Sequence, residues 1–132
     1  MSKPGFKWLT PVLCVNDLRR SLKYYSEVLG FNIEWEWSEL EAFEKPDHPT
    51  FACVCRGECA IFLCEQGQGA PGAWLCLNVS SREELDTLQR EYQKSGAKIV
   101  QAPQDYSWGM REMVVEDLDG NTFRMGCGLE EH

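Results

Sequence analysis

Apolar and polar positions along the chain switch several times between two periods. Residues Leu9 to Val15 alternate as a strand does. Asn16-Asp17 then offers a helix cap, and Leu18, Leu22, Tyr25 and Leu29 follow at helical spacing until Gly30. Strand character resumes from Phe31 to Trp37. Two further strands, Phe51 to Arg56 and Cys59 to Glu65, are joined by a Gly57-Glu58 turn. From Trp74 the order repeats. Trp74 to Val79 reads as a strand, Ser81 with Glu84 as a capping box, and Leu85, Leu88 and Tyr92 as a helix face closed by Gly96. Ala97 to Val100, Met110 to Glu116 and Thr122 to Cys127 complete the set, the last two joined through Asp117-Leu118-Asp119-Gly120-Asn121.

The repetition is an internal duplication. Val15, Gly30 and Ile33 correspond to Val79, Gly96 and Ile99, offset by 64 residues at the valines and 66 at the other two pairs. The pattern predicts an α+β fold of two βαβββ modules, about 6–66 and about 72–128, within one domain spanning 1–132. Each helix covers one face of its sheet, and the mixed sheets curve their other face into a cup.

Composition narrows what such a cup serves. The chain has 132 residues, enough for one substantial core, with ordinary apolar (43%) and charged (26%) shares. No apolar run approaches the roughly 20 residues of a membrane span, and no secretory leader precedes the first strand, so a cytoplasmic location without membrane association is expected. A net charge of −8 argues against nucleic acid, and it would concentrate a cationic ligand. Seven cysteines, odd in number and without a Cys-x-x-Cys pair, read as reduced core packing rather than a zinc site.

Two groups of residues carry a resemblance. The first is Pro11-Val12-Leu13-Cys14-Val15-Asn16-Asp17-Leu18 with Ser21, Tyr24-Tyr25 and Val28-Leu29-Gly30-Phe31. The second is Trp108-Gly109-Met110-Arg111-Glu112 with Asp117-Leu118-Asp119-Gly120-Asn121. In order and spacing the chain resembles the vicinal-oxygen-chelate superfamily, and within it the glyoxalase/bleomycin resistance group. The resemblance implies paired modules forming a cup, within a homodimer whose interface helps build the cavities. It covers metal enzymes as well as metal-free proteins that sequester drugs.

The positions where the resemblance implies metal ligands are Thr10, Phe62, Trp74 and Arg124. None of these side chains suits a hard divalent metal, so no metal and no cofactor is expected. The only histidines, His48 in a Pro-flanked loop and His132, are poorly placed to act as ligands or to activate a nucleophile, and no catalytic residue is assigned. With the ligand positions pointing inward, alternation gives the cup Thr10, Cys53, Cys55, Phe62, Cys64, Trp74, Cys76 and Arg124. Trp108, beside Gly109, would close over a ligand, and Arg111 would hold an acidic partner of its own chain. Leu13, Val15, Leu75, Leu77, Val79, Phe123 and Met125 would face the helices. Trp8 is expected to pack near the terminus. Glu34, Glu36, Glu39, Glu41 and Glu44 alternate with Trp35, Trp37, Leu40 and Phe43 as an edge strand running into a loop, with 44–50 a lid or an arm exchanged between subunits.

The expectation is a metal-independent protein that sequesters a small organic ligand, aromatic and of the bleomycin type, with cationic character favoured by the chain's charge. Two alternatives stay open. One is a metal-free lyase or isomerase of the glyoxalase superfamily. The other is a structural or regulatory dimer in which Phe62 and Trp74 fill the cup.

Overall fold

The computed structural model describes residues 3–38, 48–65 and 67–129. The expectations for Glu39, Leu40, Glu41, Phe43, Glu44 and His132 lie outside these. Eight strands run as β1 (Val12–Val15), β2 (Asn32–Trp37), β3 (Phe51–Arg56), β4 (Cys59–Glu65), β5 (Trp74–Asn78), β6 (Lys98–Asp105), β7 (Met110–Glu116) and β8 (Thr122–Gly128). They form two four-stranded sheets in the orders β1-β4-β3-β2 and β5-β8-β7-β6. β1 lies parallel to β4 and β5 parallel to β8, while the other neighbours are antiparallel. Each module is thus a mixed sheet in which the helix supplies the crossover that a parallel pair requires.

Helix α1 (Leu18–Lys23) starts at Asp17, whose side chain accepts the Arg20 N–H at 3.1 Å. It was expected to stay regular up to Gly30. Instead it widens into a π-helical stretch over Tyr24–Val28, closed by a Leu29 N–H to Tyr24 carbonyl bond of 3.0 Å. Helix α2 (Arg82–Ser95) starts where Ser81 accepts the Glu84 N–H, and it ends on Gly96 in the left-handed conformation.

The helix-facing residues alternate as the sequence predicts. Leu13, Val15, Ile61 and Leu63 of one sheet are buried with Leu18, Leu22 and Tyr25. Met113, Val115, Phe123 and Met125 of the other are buried with Leu85 and Tyr92. Leu75, Leu77 and Val79 pack partly buried against this cluster, which runs without a break across both modules. Polar contacts lock the seam. Tyr25 donates its hydroxyl to Asp117 at 2.7 Å, and Tyr92 and Arg56 both donate to the Leu29 carbonyl. Arg56 also makes a two-pronged contact with Glu91 of α2.

Two expectations need correcting. β1 begins at Val12, so Thr10 lies outside the strand, and the segment before it is bare: Trp8, expected to pack, is 80% exposed. β6 runs on to Asp105 rather than ending at Val100. No helix among the described residues is long and apolar enough to cross a membrane.

Candidate functional site

The face of each sheet turned away from its helix carries the residues that alternate with the core. In module one Phe62 of β4 is in register with Val12 of β1 and Cys53 of β3, and Trp35 of β2 lies opposite Cys53. Three rings meet there in a triangle. Trp35 and Phe51 are 5.6 Å apart between centroids, and each is 5.4 Å from Phe62. Tilted contacts of this kind are the favourable ones for aromatic pairs. The rings reach one another because a register shift between Ile33 and Trp35 sets Trp35 and Trp37 on the same face as Cys53 and Phe51. Cys14 and Cys64 share this face in register, and Cys53 and Cys64 are buried within it.

A cavity of about 250 Å³ adjoins the triangle, lined by Trp37, Thr50, Phe51, Cys64, Glu65 and two neighbouring loop residues. The Thr50 hydroxyl is buried without a hydrogen-bond partner among the described residues, which leaves it available to a ligand atom. Glu65 is already engaged, accepting the Leu18 N–H at 2.9 Å and lying 3.3 Å from His48. The sequence gives no local signal for Thr50 or Glu65; only the pairing of β3 with β4 brings them to the rings.

In module two the corresponding face carries Trp74 and Cys76 of β5, Arg124 of β8, and Glu112 of β7. Cys76 is in register with Arg124, whose guanidinium carbon lies 5.7 Å from the Trp74 ring centroid. Glu112 is buried and 3.5 Å from the Arg124 Nε. Trp74 is 64% exposed, so it does not close the face as a core residue would.

Four of the expected site residues (Cys53, Cys55, Phe62 and Cys64) therefore come together on one sheet, and three (Trp74, Cys76 and Arg124) on the other. Thr10 stands just before β1 at the margin. Trp108 sits on the β6–β7 turn, stacked on Tyr106 at 4.3 Å, with Gly109 at a φ of +87° supplying the left-handed residue that the turn needs. Arg111 is not brought to either open face. It pairs across the sheet with the core residue Cys127 and points at α2, held by Asp86 at 3.2 Å and Asp105 at 2.9 Å. That is the intrachain acidic pairing expected of it, on the helix side.

Two thiols on the aromatic face, Cys53 and Cys55, are shifted further toward the protonated form. Burial, followed by the charge of Glu34, pushes the Cys53 thiol up. Cys55 donates to the Glu34 carboxylate at 3.2 Å, and this hydrogen bond, more than burial, raises its pKa.

A family model, "Glyoxalase/Bleomycin resistance protein/Dioxygenase superfamily", matches residues 6–125. The chain belongs to that superfamily. Among solved structures, TioX from Micromonospora sp. ML1 superposes with a TM-score of 0.77 at 21% identity, over 94% of this chain and 100% of the other. TnmS3, an antibiotic binding protein from Streptomyces sp. CB03234, gives 0.71 at 18% identity, over 96% and 99%. A glyoxylase/bleomycin resistance protein/dioxygenase domain from Frankia sp. EAN1pec gives 0.70 at 24% identity, over 99% and 96%. No curated protein matches in sequence.

Membership makes a metal worth testing against the donors present. The positions at issue offer a hydroxyl at Thr10, hydrocarbon rings at Phe62 and Trp74, and a cation at Arg124. The Arg124 charge stacks on Trp74 where a metal would need a lone pair. This set does not fit a divalent ion. Among the described residues no three His, Cys, Asp or Glu side chains converge elsewhere.

A cleft of about 600 Å³ lies away from the aromatic faces. It lies between α2 and the β3–β4 turn, among Phe31, Leu77, Leu88, Met125 and the Arg56–Glu91 pair, along the seam where the modules meet.

Proposed function

We propose that this protein is a metal-independent binding protein that sequesters a planar aromatic compound, cationic in character, between sheets brought together in a homodimer. The observation that carries the reading is the ring triangle Trp35–Phe51–Phe62, which presents stacking surface on an open sheet face where a metal enzyme of the superfamily would present donors. Trp37, 52% exposed, extends that surface, and Trp74, 64% exposed, presents a further ring on the other sheet. Contiguous aromatic surface of this kind marks a site that something covers. The net charge of −8 favours a cation at such a site. TnmS3, with the same fold, is an antibiotic binding protein, which is consistent with a drug-like ligand. All seven cysteines are free thiols, in keeping with a reducing cytoplasm.

The alternative of a metal-free lyase or isomerase would need a reactive group in the cup. Two of the cysteines on the ring-bearing face, Cys53 and Cys55, are shifted away from the thiolate.

The test is a titration of the purified chain, of known metal content and sedimentation mass, with bleomycin and a panel of planar cationic compounds, followed by tryptophan fluorescence. Saturable quenching by a metal-free dimer is expected, weakened about tenfold or more by Phe62→Ala, which removes one ring of the triangle. A stoichiometric metal ion, or quenching indifferent to Phe62, would overturn the assignment.

A further inference from the structure

Glu112 is an expensive residue to place where it is. It lies on β7 opposite Gly126 of β8 and is 6% exposed. A Cβ at position 126 would come within 2.9 Å of the Glu112 Cγ, so the glycine is the space in which this side chain lies. A buried carboxylate is stable only when matched by charge and hydrogen bonds. Its one charged neighbour among the described residues is Arg124, at 3.5 Å from Nε to Oε1. That is longer than the roughly 2.7–2.9 Å of a well-made N–H to carboxylate bond. Arg124 is itself 44% exposed, and its guanidinium carbon stands 5.7 Å from the Trp74 centroid. A sunken carboxylate and an exposed ring, each against the same loosely held planar cation, make a receptor whose present occupant is a side chain of the same protein.

We propose that Glu112 and Trp74 form a receptor for a planar amidinium or guanidinium group, which Arg124 occupies until a ligand carrying such a group displaces it into solvent. The inference rests on the proposed ligand-binding role of the open face and specifies the charged part of that ligand. A planar cation reproduces the stacking on Trp74 and can approach Glu112 with two N–H groups, which the single 3.5 Å contact of Arg124 does not, whereas a tetrahedral ammonium offers no face to stack. A neutral ligand leaves the Arg124–Glu112 pair in place. Release of Arg124 is easy, since it is half in solvent and makes no close hydrogen bond to Glu112.

The experiment uses the full chain with benzamidine and its neutral isostere benzamide. Arg124→Ala vacates the receptor and leaves Glu112 without a counter-charge, so the melting temperature falls. Benzamidine restores it in proportion to concentration, as a ligand of the folded state must, and benzamide does not. Benzamidine binds Arg124→Ala about tenfold more tightly than the parent, a gain lost when Glu112→Gln is added. Equal rescue by benzamide, or benzamidine binding unchanged by Arg124→Ala, would overturn the inference. Should Glu112→Gln not fold, the benzamidine–benzamide contrast on Arg124→Ala decides alone. A neutral polycyclic aromatic probe on the parent separates the two readings. If it quenches while benzamidine shows no gain, this inference falls and the aromatic site stands. If no aromatic probe quenches, the broader reading falls.

Discussion

The joint between the modules should fail in a measurable way when a single oxygen is removed. Tyr25 is fully buried, and its hydroxyl donates to Asp117 Oδ2 at 2.7 Å. Tyr25→Phe keeps the edge-to-face ring contacts with Phe31 at 5.7 Å and Phe123 at 6.1 Å, and removes only this bond. Asp117 is not orphaned by the change. It still accepts the backbone N–H groups of Asp119 and Asn121 and the Asn121 side-chain amide, at 2.8 to 2.9 Å. The loss is therefore that of one hydrogen bond to a charged acceptor, about 2 kcal/mol, without the larger penalty of an uncompensated charge. For 132 residues the unfolding entropy is roughly 0.28 kcal/mol/K, so Tm should fall by about 7 °C. The hydroxyl stays a donor throughout the neutral range, because burial, followed by the Asp117 charge, raises its pKa well above the ordinary tyrosine value. The loss should accordingly be the same at any neutral pH. The assay is thermal melting alongside urea unfolding, where the midpoint should drop with an unchanged m-value. A fall of less than about 2 °C would show that the seam does not depend on this bond.

Two other perturbations test separate parts of the account. Burial raises the Tyr92 pKa from 10.0 to about 12, so the folded state holds that proton more tightly than the unfolded chain. Stability should be intact below pH 10 and decline between pH 10 and 12, as the unfolded chain ionises first, and Tyr92→Phe should flatten the decline seen by urea unfolding across that window. Gly126→Ala would put a Cβ 2.8 Å from the Arg111 carbonyl oxygen, a backbone atom that cannot yield, and should cost about 1–3 kcal/mol by the same assay. Gly128→Ala, two residues along the same strand with open space at its Cβ, is the control and should be near neutral.

Elements with a clear period were legible, and exceptions trace to contacts beyond local reach. Alternation and capping placed all eight strands and both helices, since Asp17, Ser81 and Gly96 act through neighbours a few residues away. The π-helical widening had no such signal; it sits where Tyr25 reaches Asp117, 92 residues on. β1 begins late because Pro11 has no N–H to give, although its carbonyl accepts from Phe62. β6 outran its expected end because it is an edge strand with an irregular register between Gln101 and Gln104, which tolerates Pro103. The side taken by Arg111 was readable. Met113 and Val115 are core, so period two puts residue 111 with them and sends Glu112 and Val114 to the open face.

The tryptophans argue for what the fold is used for. All five are exposed in the single chain, from 39% at Trp35 to 80% at Trp8. The helix side, by contrast, buries tyrosine, phenylalanine and leucine almost completely. A protein that packs its core this well has not run out of room for large side chains; it keeps its largest ones on the outside. Of those on the open faces, Trp74 stands at a position where the resemblance implies a ligand in the metal enzymes, and Trp35 packs on another, Phe62. Replacing donors with rings exchanges a short-range directional contact for a broad surface that rewards area and flatness. A metal site must hold its ligand atoms to within a few tenths of an ångström, whereas a stacking site tolerates sliding. A cup lined in this way can therefore gain breadth of binding. On the module-two face, Glu112 and Arg124 form a charged pair beside the Trp74 ring, and under the proposed binding role that pair is where selectivity among flat molecules would be decided.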